Sequence, residues 1–310
     1  MKIFIPKIKE SWVVDRFREE FYQHNFEIVA TDIEKADIIW IIAPWIWKNT
    51  KKKYLKSKYV VCTIHHFEDK DFDKKGLSQF YKRDFYVDEY HVISDKTLYE
   101  LKKLTEKKIT KIPFWVNQNI WFEIKDKNSV RNSFNISSND YVVGSFQRDT
   151  EGRDLKSPKL IKGPDRLLKI IKDLKVNNLL VVLSGKRREY IIRELEKENI
   201  RYRYFEMVNF EDLNKLYNCL DLYIVSSRIE GGPQSIVECG ISKTPIISTD
   251  VGISKEILAN ESIYNMNNYK FAKPNINVAY KNSLKLCIPK GFEEYIKLFR
   301  NFSEKERGYK

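Results

Sequence analysis

Two glutamates that flank a short glycine-proline loop are the residues best placed to do chemistry. Glu230 and Glu238 are separated by seven residues in Ser-Arg-Ile-Glu-Gly-Gly-Pro-Gln-Ser-Ile-Val-Glu, which follows the apolar run Leu222–Val225. The two glycines allow a sharp turn, and Pro233 suits the first helical turn, where its missing N–H has no partner in any case. The segment therefore predicts a strand, a tight loop and the start of a helix.

The predicted helix start is suited to an anion. The N–H groups of Gln234 and Ser235 lack partners within the helix and lie at the positive end of its dipole, while Gly231 and Gly232 let a ligand approach the backbone closely. A diphosphate bound there has Glu230 on one side, and the second glutamate follows about two turns along the helix. Two carboxylates beside a diphosphate favour a polyhydroxylated ligand such as a nucleotide sugar. The alternative is that the first glutamate only caps the helix and the second is solvated.

The residues that follow extend the pattern. They include Thr244-Pro245, the apolar pair Ile246-Ile247, Asp250-Val251-Gly252 and Glu256. This run resembles the retaining GT-B glycosyltransferases of the large family that includes bacterial mannosyl- and glucosyltransferases and sucrose synthases. The resemblance implies an α/β fold of two doubly wound, Rossmann-like domains with a cleft between them. It also implies a nucleoside-diphosphate-sugar donor and neither a metal ion nor another cofactor.

The resemblance assigns two cations to the diphosphate. Gly144-Ser-Phe-Gln-Arg148 and Lys162-Gly163-Pro164 stand where the family has Gly-Arg and Lys-Gly. Arg148 and Lys162 would offset the charge of the leaving nucleoside diphosphate. Because the intervening loop is longer than in the family, Arg153 is an alternative to Arg148. Two exposed cations on a surface loop are the structural alternative.

Two further segments match donor-binding positions of the family. Gly185 and Lys186 follow a predicted strand at a turn that lines the nucleotide pocket in the family, although a plain strand-end turn fits equally. The nucleobase is expected near Tyr204 and Met207, where the backbone of family members receives it.

A histidine pair is the candidate in the first half of the chain. Thr63-Ile64-His65-His66 resembles the Thr-x-His-Asp strand end whose histidine reaches the transferred sugar. His65 takes that position, whereas His66 replaces the aspartate that is frequent there. The alternative is a structural, hydrogen-bonded histidine pair.

Metal-binding patterns are weaker. Asp69-Lys-Asp71 and Asp71-Phe-Asp73 have the Asp-x-Asp spacing of metal-dependent glycosyltransferases. The two cations already serve the same electrostatic purpose, which disfavours a metal. A zinc cluster around the histidine pair is disfavoured because adjacent strand residues point to opposite faces.

Length and patterning predict two α/β domains. A chain of 310 residues suits two domains, and short apolar runs alternate with amphipathic helices as in parallel βαβ units. We expect an acceptor-side domain at 1–125, a connector at 125–140, a nucleotide-sugar domain at 138–288, and a helix at 289–310 that crosses back to the first domain. The predicted strands are 3–5, 26–30, 38–42, 59–64, 91–93, 141–144, 178–184, 202–205, 222–225 and 246–248, and the predicted helices are 12–22, 165–174, 188–198, 210–219 and an amphipathic one through Phe292, Tyr295, Phe299 and Phe302.

Net charge and cysteine spacing bear on the binding partners, the state of the thiols and the location of the protein. The net charge of +13 invites anionic partners, but lysine, isoleucine and asparagine are abundant together, as a genomic bias also produces. The four cysteines, Cys62, Cys219, Cys239 and Cys287, form no Cys-x-x-Cys pair and are expected to be buried thiols. Without a signal peptide or a sufficiently long apolar run, we expect a cytoplasmic protein, with peripheral membrane contact left open.

The sequence thus predicts a retaining transfer of a hexose-type sugar from a UDP or GDP sugar to a hydroxyl of a glycan or another acceptor. An epimerase or hydrolase acting on nucleotide sugars is the first alternative. A basic nucleic-acid-binding protein is the second, and it lacks support from any helix-turn-helix or zinc motif.

Overall fold

The computed structural model describes residues 1–8 and 13–303, with side chains as far as residue 300. It divides into two compact units: Met1–Phe114 together with the segment that begins at Pro289, and Trp115–Ile288. Trp12 and the side chain of Phe302, which belong to two predicted helices, lie outside the described residues. Each unit is an α/β structure around a parallel sheet.

The first unit has a parallel sheet covered by helices. Its strands are β1 (Ile3–Phe4), β2 (Ile38–Ile41), β3 (Tyr59–Ile64), β4 (Glu89–Val92) and β5 (Lys108–Lys111), and its first helices are α1 (Val13–His24), α2 (Lys52–Ser57), α3 (Lys74–Asp84) and α4 (Asp95–Leu101). The strand order is β1-β2-β3-β4-β5. The continuous burial of β2 and β4 is typical of parallel strands packed on both faces. The predicted strand at 26–30 is reduced to one bridge, between Val29 and Ile3.

In the sheet of the second unit, the strand order reverses direction in the middle. Its strands are β6 (Tyr141–Ser145), β7 (Thr150–Glu151), β8 (Ser157–Pro158), β9 (Leu179–Ser184), β10 (Tyr202–Phe205), β11 (Leu222–Val225), β12 (Ile246–Thr249) and β13 (Ile263–Tyr264), and its helices are α5 (Lys127–Ser133), α6 (Pro164–Asp173), α7 (Glu189–Lys197), α8 (Phe210–Cys219), α9 (Gln234–Ser242), α10 (Ser254–Ile257) and α11 (Ile276–Ser283). The parallel sheet runs β10-β9-β6-β11-β12-β13, and β7 and β8 form a separate antiparallel pair. The order therefore switches direction between β6 and β11, and such a point is where open α/β sheets bind ligands.

The core of the second unit follows from helical periodicity. On α6, Leu167, Ile170 and Ile171 share one face, and on α7 the residues Ile191 and Leu195 are one turn apart; all five are buried in one cluster with the sheet. These apolar stripes explain why both helices lie on the sheet.

The predicted connector at 125–140 contains a helix. Its Asn- and Ser-rich composition favours a loop, but Asp126 caps α5 by accepting a hydrogen bond from the N–H of Ser129 at 2.9 Å. Arg131, at the end of α5, is buried and donates to Asp221 at 2.6 Å and to the carbonyl of Cys219 at 2.9 Å. This long-range anchor is invisible in local composition, so the sequence predicted a connector here but not the helix within it.

The cysteines are free thiols. Cys62, Cys219 and Cys239 are buried, and Cys287 is partly buried. Burial raises the pKa of Cys62 to about 11 and that of Cys219 to about 12. These two thiols therefore stay protonated near neutral pH and are poor nucleophiles.

In the part of the chain that the structure describes, each helix is too short or too polar to cross a bilayer.

The last described helix, α12 (Glu293–Ser303), completes the core of the first unit. Tyr295 and Phe299 each place their ring 5.2 Å from the ring of Trp40, and Phe299 also lies 6.0 Å from Phe21. All four side chains are fully buried. The helix is thus an integral part of the first unit.

Replacing Phe299 by Ala should therefore destabilise the protein. The substitution removes a buried ring and leaves a cavity beside Trp40, which typically costs about 3–5 kcal/mol of unfolding free energy. The measurement is urea denaturation followed by tryptophan fluorescence. Phe271→Ala is the matched control, because its ring is 79% exposed and its loss should change little. Equal stability of the two variants would contradict this account of α12.

Candidate functional site

The structure brings together two of the predicted site residues, Lys162 and Glu230. The ammonium Nζ of Lys162 lies 2.6 Å from Oε1 of Glu230, and the two side chains are only 19% and 12% exposed. Ser227 donates a hydrogen bond to the same carboxylate oxygen at 3.1 Å, and the amide of Gln147 donates to the carbonyl of Lys162 at 2.7 Å. The result is a compact polar cluster at the carboxyl edge of the sheet.

The cluster lies where the connections that follow β6 and β11 leave in opposite directions. Gln147 follows the end of β6 and Ser227 follows the end of β11, and these two strands are direct neighbours in the sheet. Lys162 precedes α6, the helix that crosses from β6 back along the sheet. The ion pair therefore lies at the topological switch point, where ligand sites of doubly wound sheets are found.

Close backbone packing holds the Lys162 loop against the loop after β11. Gly163 has a left-handed conformation, with φ of 63°, and a Cβ at this position would lie 1.9 Å from the carbonyl oxygen of Ser226. The N–H groups of Arg228 and Ile229 both donate to the carbonyl of Ile161, at 2.8 and 3.2 Å. Only glycine, which has no Cβ, can adopt this left-handed conformation so close to the backbone of Ser226.

A bidentate ion pair joins the same two loops. Both terminal nitrogens of Arg228 bind the carboxylate of Asp165, at 2.7 and 2.6 Å. Hydrogen bonding from Arg228 lowers the pKa of Asp165 below its ordinary value. Sequence reasoning missed this pair because its members are distant in the chain and match no motif.

The helix after the loop begins one residue later than predicted. Gln234 is the first residue of α9, and Pro233 is its N-cap with φ of −59°, so the prediction that Pro233 lies in the first helical turn was wrong by one position. Among the described residues, no acceptor pairs with the N–H of Gln234 or Ser235. Both polar atoms of the Gln234 side chain are also buried without a hydrogen-bond partner from the described residues.

A second close backbone contact supports the loop of Gly231 and Gly232. Gly252, in the turn after β12, has φ of 54°, and a Cβ there would lie 2.6 Å from the carbonyl oxygen of Gly231. The Asp-Val-Gly element that follows β12 therefore supports the loop that precedes α9. Gly231 is buried and Gly232 is partly exposed at this loop.

Glu238 is buried within α9. It is 5% exposed, and the hydroxyl of Tyr217 donates to its Oε2 at 2.9 Å. Burial, followed by the charge of Glu238, raises the pKa of Tyr217 well above its ordinary value, so the phenol remains a donor. These observations exclude a solvated helix position for Glu238. A capping role for Glu230 is likewise excluded, because Pro233 is the N-cap.

The other predicted cations have different surroundings. The Nε of Arg148 donates to the carbonyl of Thr150 at 3.1 Å, while Arg153 is exposed between β7 and β8. The neighbouring Asp149 forms a buried ion pair of 2.5 Å with Arg188, which fixes the start of this loop. The structure thus places Arg148 at the anchored base of the loop and Arg153 on its exposed turn.

The segments predicted to line the nucleotide pocket follow β9 and β10. Gly185 has φ of 90°, and its carbonyl accepts a hydrogen bond from Tyr204 at 2.9 Å. Lys186 beside it is exposed. Met207, which follows β10, is 48% exposed.

His65 lies at the end of β3 in the first unit. Its Nε2 is 2.9 Å from the carbonyl oxygen of Ile42, and because a carbonyl only accepts, this nitrogen carries the proton. Nδ1 is therefore the acceptor of the ring. Burial is the main reason that the pKa of His65 is lowered to about 4. His66 lies 3.6 Å from a carboxylate oxygen of Glu68, so the two histidines have different partners.

The acidic triplets have local structural roles. Asp71 accepts a hydrogen bond from the N–H of Glu68 at 2.7 Å, and Asp73 caps α3 by accepting from the N–H of Gly76 at 2.7 Å. Within residues 1–8 and 13–303, no group of three or more His, Cys, Asp or Glu side chains has an arrangement suited to a metal ion. Asp71 and Asp73 are thus both engaged in local caps.

A small hollow adjoins the cluster. It has a volume of about 290 Å³, close to the lower limit for ligand pockets, and Ser227 is part of its wall. Arg166 also lines it; burial and then the adjacent charge of Arg228 lower the pKa of Arg166. The hydroxyl that binds Glu230 thus belongs to a residue that faces an open space.

Comparison with known proteins defines the class of the fold. Residues 157–288 match the family model "Glycosyl transferases group 1". HepE from Anabaena, solved in complex with UDP-glucose, superposes with a TM-score of 0.72 at 12% identity and covers 97% of this chain and 99% of its own. Sucrose-phosphate synthase from Thermosynechococcus elongatus gives a TM-score of 0.69 at 14% identity over 94% of this chain and 78% of its own. No protein of curated function matches the sequence significantly.

The fold is therefore that of GT-B glycosyltransferases, which confirms the predicted fold class, and the segment that matches the group 1 family model lies within the second unit. WaaG, a glycosyltransferase involved in lipopolysaccharide biosynthesis, has the same fold with a TM-score of 0.63 at 12% identity, over 100% of this chain and 96% of its own. The matched segment contains Lys162 and Glu230 but neither Arg148 nor His65.

Gly163→Ala should destabilise the protein. The new Cβ clashes with the backbone at Ser226, and the left-handed conformation is strained for alanine, so we expect a loss of about 2 kcal/mol or more in unfolding free energy. Gly152→Ala is the control: its φ is 82°, but its Cβ meets only the side chain of Asp154. Chemical denaturation should show a clearly smaller loss for the control. Equal losses would mean that conformational strain alone matters.

His65 should remain neutral well below pH 6. Its pKa is lowered from 6.5 to about 4 in the folded protein, so the unfolded state binds more protons between these values and stability falls as the pH drops from 6.5 toward 4. Proton NMR of the imidazole Cε1–H, assigned with a His65→Gln variant, would follow the titration. A midpoint near 6.5 would contradict the buried environment of the ring.

Proposed function

We propose that this protein transfers a hexose-type sugar from a nucleoside-diphosphate sugar, with UDP or GDP as the nucleotide, to a hydroxyl of a glycan or another acceptor, with retention at the anomeric carbon. The observation that carries the proposal is the Lys162–Glu230 ion pair beside the unpaired N–H groups at the start of α9. Its position at the switch point of a glycosyltransferase group 1 domain, together with UDP-glucose in the complex of the similar HepE, supports it.

The ion pair suggests how the donor is received. Lys162 and Glu230 neutralise each other in a poorly exposed position. A diphosphate offers Lys162 a stronger anionic partner, and the N–H groups of Gln234 and Ser235 bind the same phosphate oxygens. Glu230 is then released to accept hydrogen bonds from hydroxyls of the sugar. Binding of the diphosphate thus prepares the carboxylate for the sugar.

The remaining donor contacts follow from the positions of the side chains. Tyr217 binds one oxygen of Glu238 and orients the carboxylate, which in our proposal accepts hydrogen bonds from the ribose hydroxyls. The exposed Met207 and the turn at Gly185 and Lys186 would border the nucleobase. Arg148, or Arg153 in its place, would add a second positive charge to the diphosphate.

The chemistry then needs no protein nucleophile. The bond between the anomeric carbon and the phosphate oxygen breaks, and the acceptor oxygen bonds to the same face of that carbon while its proton passes to the departing phosphate oxygen. Lys162 and the helix amides stabilise the negative charge that develops on the diphosphate. His65, with Nδ1 as its acceptor atom, would bind a hydroxyl of the transferred sugar.

Single substitutions of Glu230 and Lys162 should distinguish nucleotide binding from sugar transfer. Glu230→Gln should keep UDP or GDP affinity, because Lys162 no longer has a competing partner, but it should lower kcat/KM with the corresponding sugar nucleotide by about a hundredfold or more. Lys162→Gln should weaken nucleotide binding itself. The measurements are calorimetry with UDP and GDP and a coupled assay of nucleotide release. Glu211→Gln, an exposed change on α8, is the matched control.

Two results would overturn the proposal. Full turnover by Glu230→Gln would remove the carboxylate from the reaction. Release of free sugar, or conversion of the sugar nucleotide, at the same rate with and without any acceptor would instead identify a hydrolase or an epimerase. Thermal-shift screening of UDP, GDP, ADP and their sugars selects the donor to be used.

A further inference from the structure

A second hollow lies in the first unit, separate from the residues of the proposed donor site. It has a volume of about 280 Å³ and lies among the segment after β2, the start of α2 and one face of α3. Its lining residues are Trp47, Lys48, Thr50, Lys52, Gln79 and Lys82. Three of the six are lysines, and none of the described lining residues is acidic.

The three lysines have no anionic partner. The structure records neither an ion pair nor a hydrogen bond from Lys48, Lys52 or Lys82 to any of the described residues; Lys48 only lies 6.0 Å from the ring of Trp47. Other lysines of the same unit are paired, such as Lys108 with Glu89 at 3.0 Å and Lys111 with Asp95 at 2.9 Å. Three like charges around one hollow repel one another, and an anion in the hollow relieves this repulsion.

A buried hydroxyl also lacks a partner. Thr50 is 7% exposed, and its Oγ1 is buried without a hydrogen-bond partner among the described residues. A buried polar group normally finds a partner, because leaving it unpaired is costly. Thr50 belongs to the lining of the hollow, and rotation of its side chain toward a bound oxyanion would expose Oγ1 and supply the missing acceptor.

The charge and shape of the hollow favour a particular anion. A phosphate monoester carries close to two negative charges at neutral pH and has three acceptor oxygens, which suits several lysines better than a single carboxylate does. Gln79 and Lys82, three residues apart on α3, lie on the same face of the helix and line the hollow together. Trp47 supplies an apolar wall for the carbon skeleton that bears the phosphate.

We propose that the hollow among Trp47, Thr50 and the three lysines is a binding site for a phosphate monoester group. This site stands on residues of the first unit alone and does not depend on the proposed transferase activity.

The test is calorimetric titration of the 310-residue chain with inorganic phosphate and with glucose 6-phosphate at constant ionic strength, with glucose as the uncharged probe. Because charge-assisted hydrogen bonds are lost, the double variant Lys52→Gln/Lys82→Gln should bind phosphate about tenfold more weakly or worse. Lys56→Gln is the matched control: this exposed lysine lies in the same lysine-rich segment but outside the hollow, and its loss should leave the affinity unchanged.

Thr50→Val gives an independent variant of similar shape. Loss of its hydroxyl should weaken phosphate binding, whereas a hydroxyl that is merely buried would leave the affinity unaltered. Equal weakening by Lys56→Gln would show non-specific charge attraction and would overturn the proposal. Absence of saturable binding, or a loss confined to Lys162→Gln, would also overturn it, since the latter places the phosphate at the donor loop.

Vesicles distinguish the source of the phosphate. Cosedimentation with phosphatidylcholine vesicles that contain phosphatidic acid, abolished in the double variant, would support the proposal with a lipid headgroup as the ligand. Binding of glucose 6-phosphate without vesicle binding would support it with a soluble phosphate ester.

Discussion

The ion pair between Lys162 and Glu230 is the interaction on which the proposed donor site depends. Its charges are poorly exposed, and an isolated charge in such a position is costly, so each stabilises the other. An anion that takes Lys162 from Glu230 leaves that carboxylate without its ammonium partner, so other hydrogen-bond donors must replace the lysine. In the proposed donor site, the hydroxyls of the sugar are these donors. Phosphate binding and sugar binding are linked through one lysine in this proposal.

The geometry of the pair results from the order of the strands. Because β6 and β11 are neighbours and their connections leave in opposite directions, the loops after them meet at the carboxyl edge of the sheet. Gly163 then allows the Lys162 loop to touch the backbone of Ser226, and the Arg228–Asp165 pair joins the same two loops. A long side chain such as lysine can reach many positions. Here the backbone around it is fixed, so its ammonium group has a defined partner.

Local sequence signals predicted helices and strands well where the sequence marks both ends of the element. The strands Tyr59–Ile64, Tyr202–Phe205 and Leu222–Val225 and the helix Phe210–Cys219 have the predicted limits, because apolar runs or helical periodicity end there at polar residues. Glu230 and Lys162 were also predicted individually as site residues. Their contact was not, and neither were Tyr217, Ser227 and Gln147, because hydrogen-bond partners distant in the chain leave no periodic signal. The helix at Lys127–Ser133 was missed for the same reason, since its anchor is Asp221.

Composition alone does not decide whether the excess lysines are solvated or bind anions. A net charge of +13 fits solvated lysines as well as anion-binding ones, and only the partners of each lysine separate these cases. Lys127 binds Asp221 at 2.7 Å and Lys162 binds Glu230, so their charges are compensated within the fold. Lys52 and Lys82 share a hollow with the unpaired hydroxyl of Thr50. A solvated lysine does not require a buried donor beside it, so this combination of charge and an unpaired hydroxyl distinguishes a site from a merely basic surface.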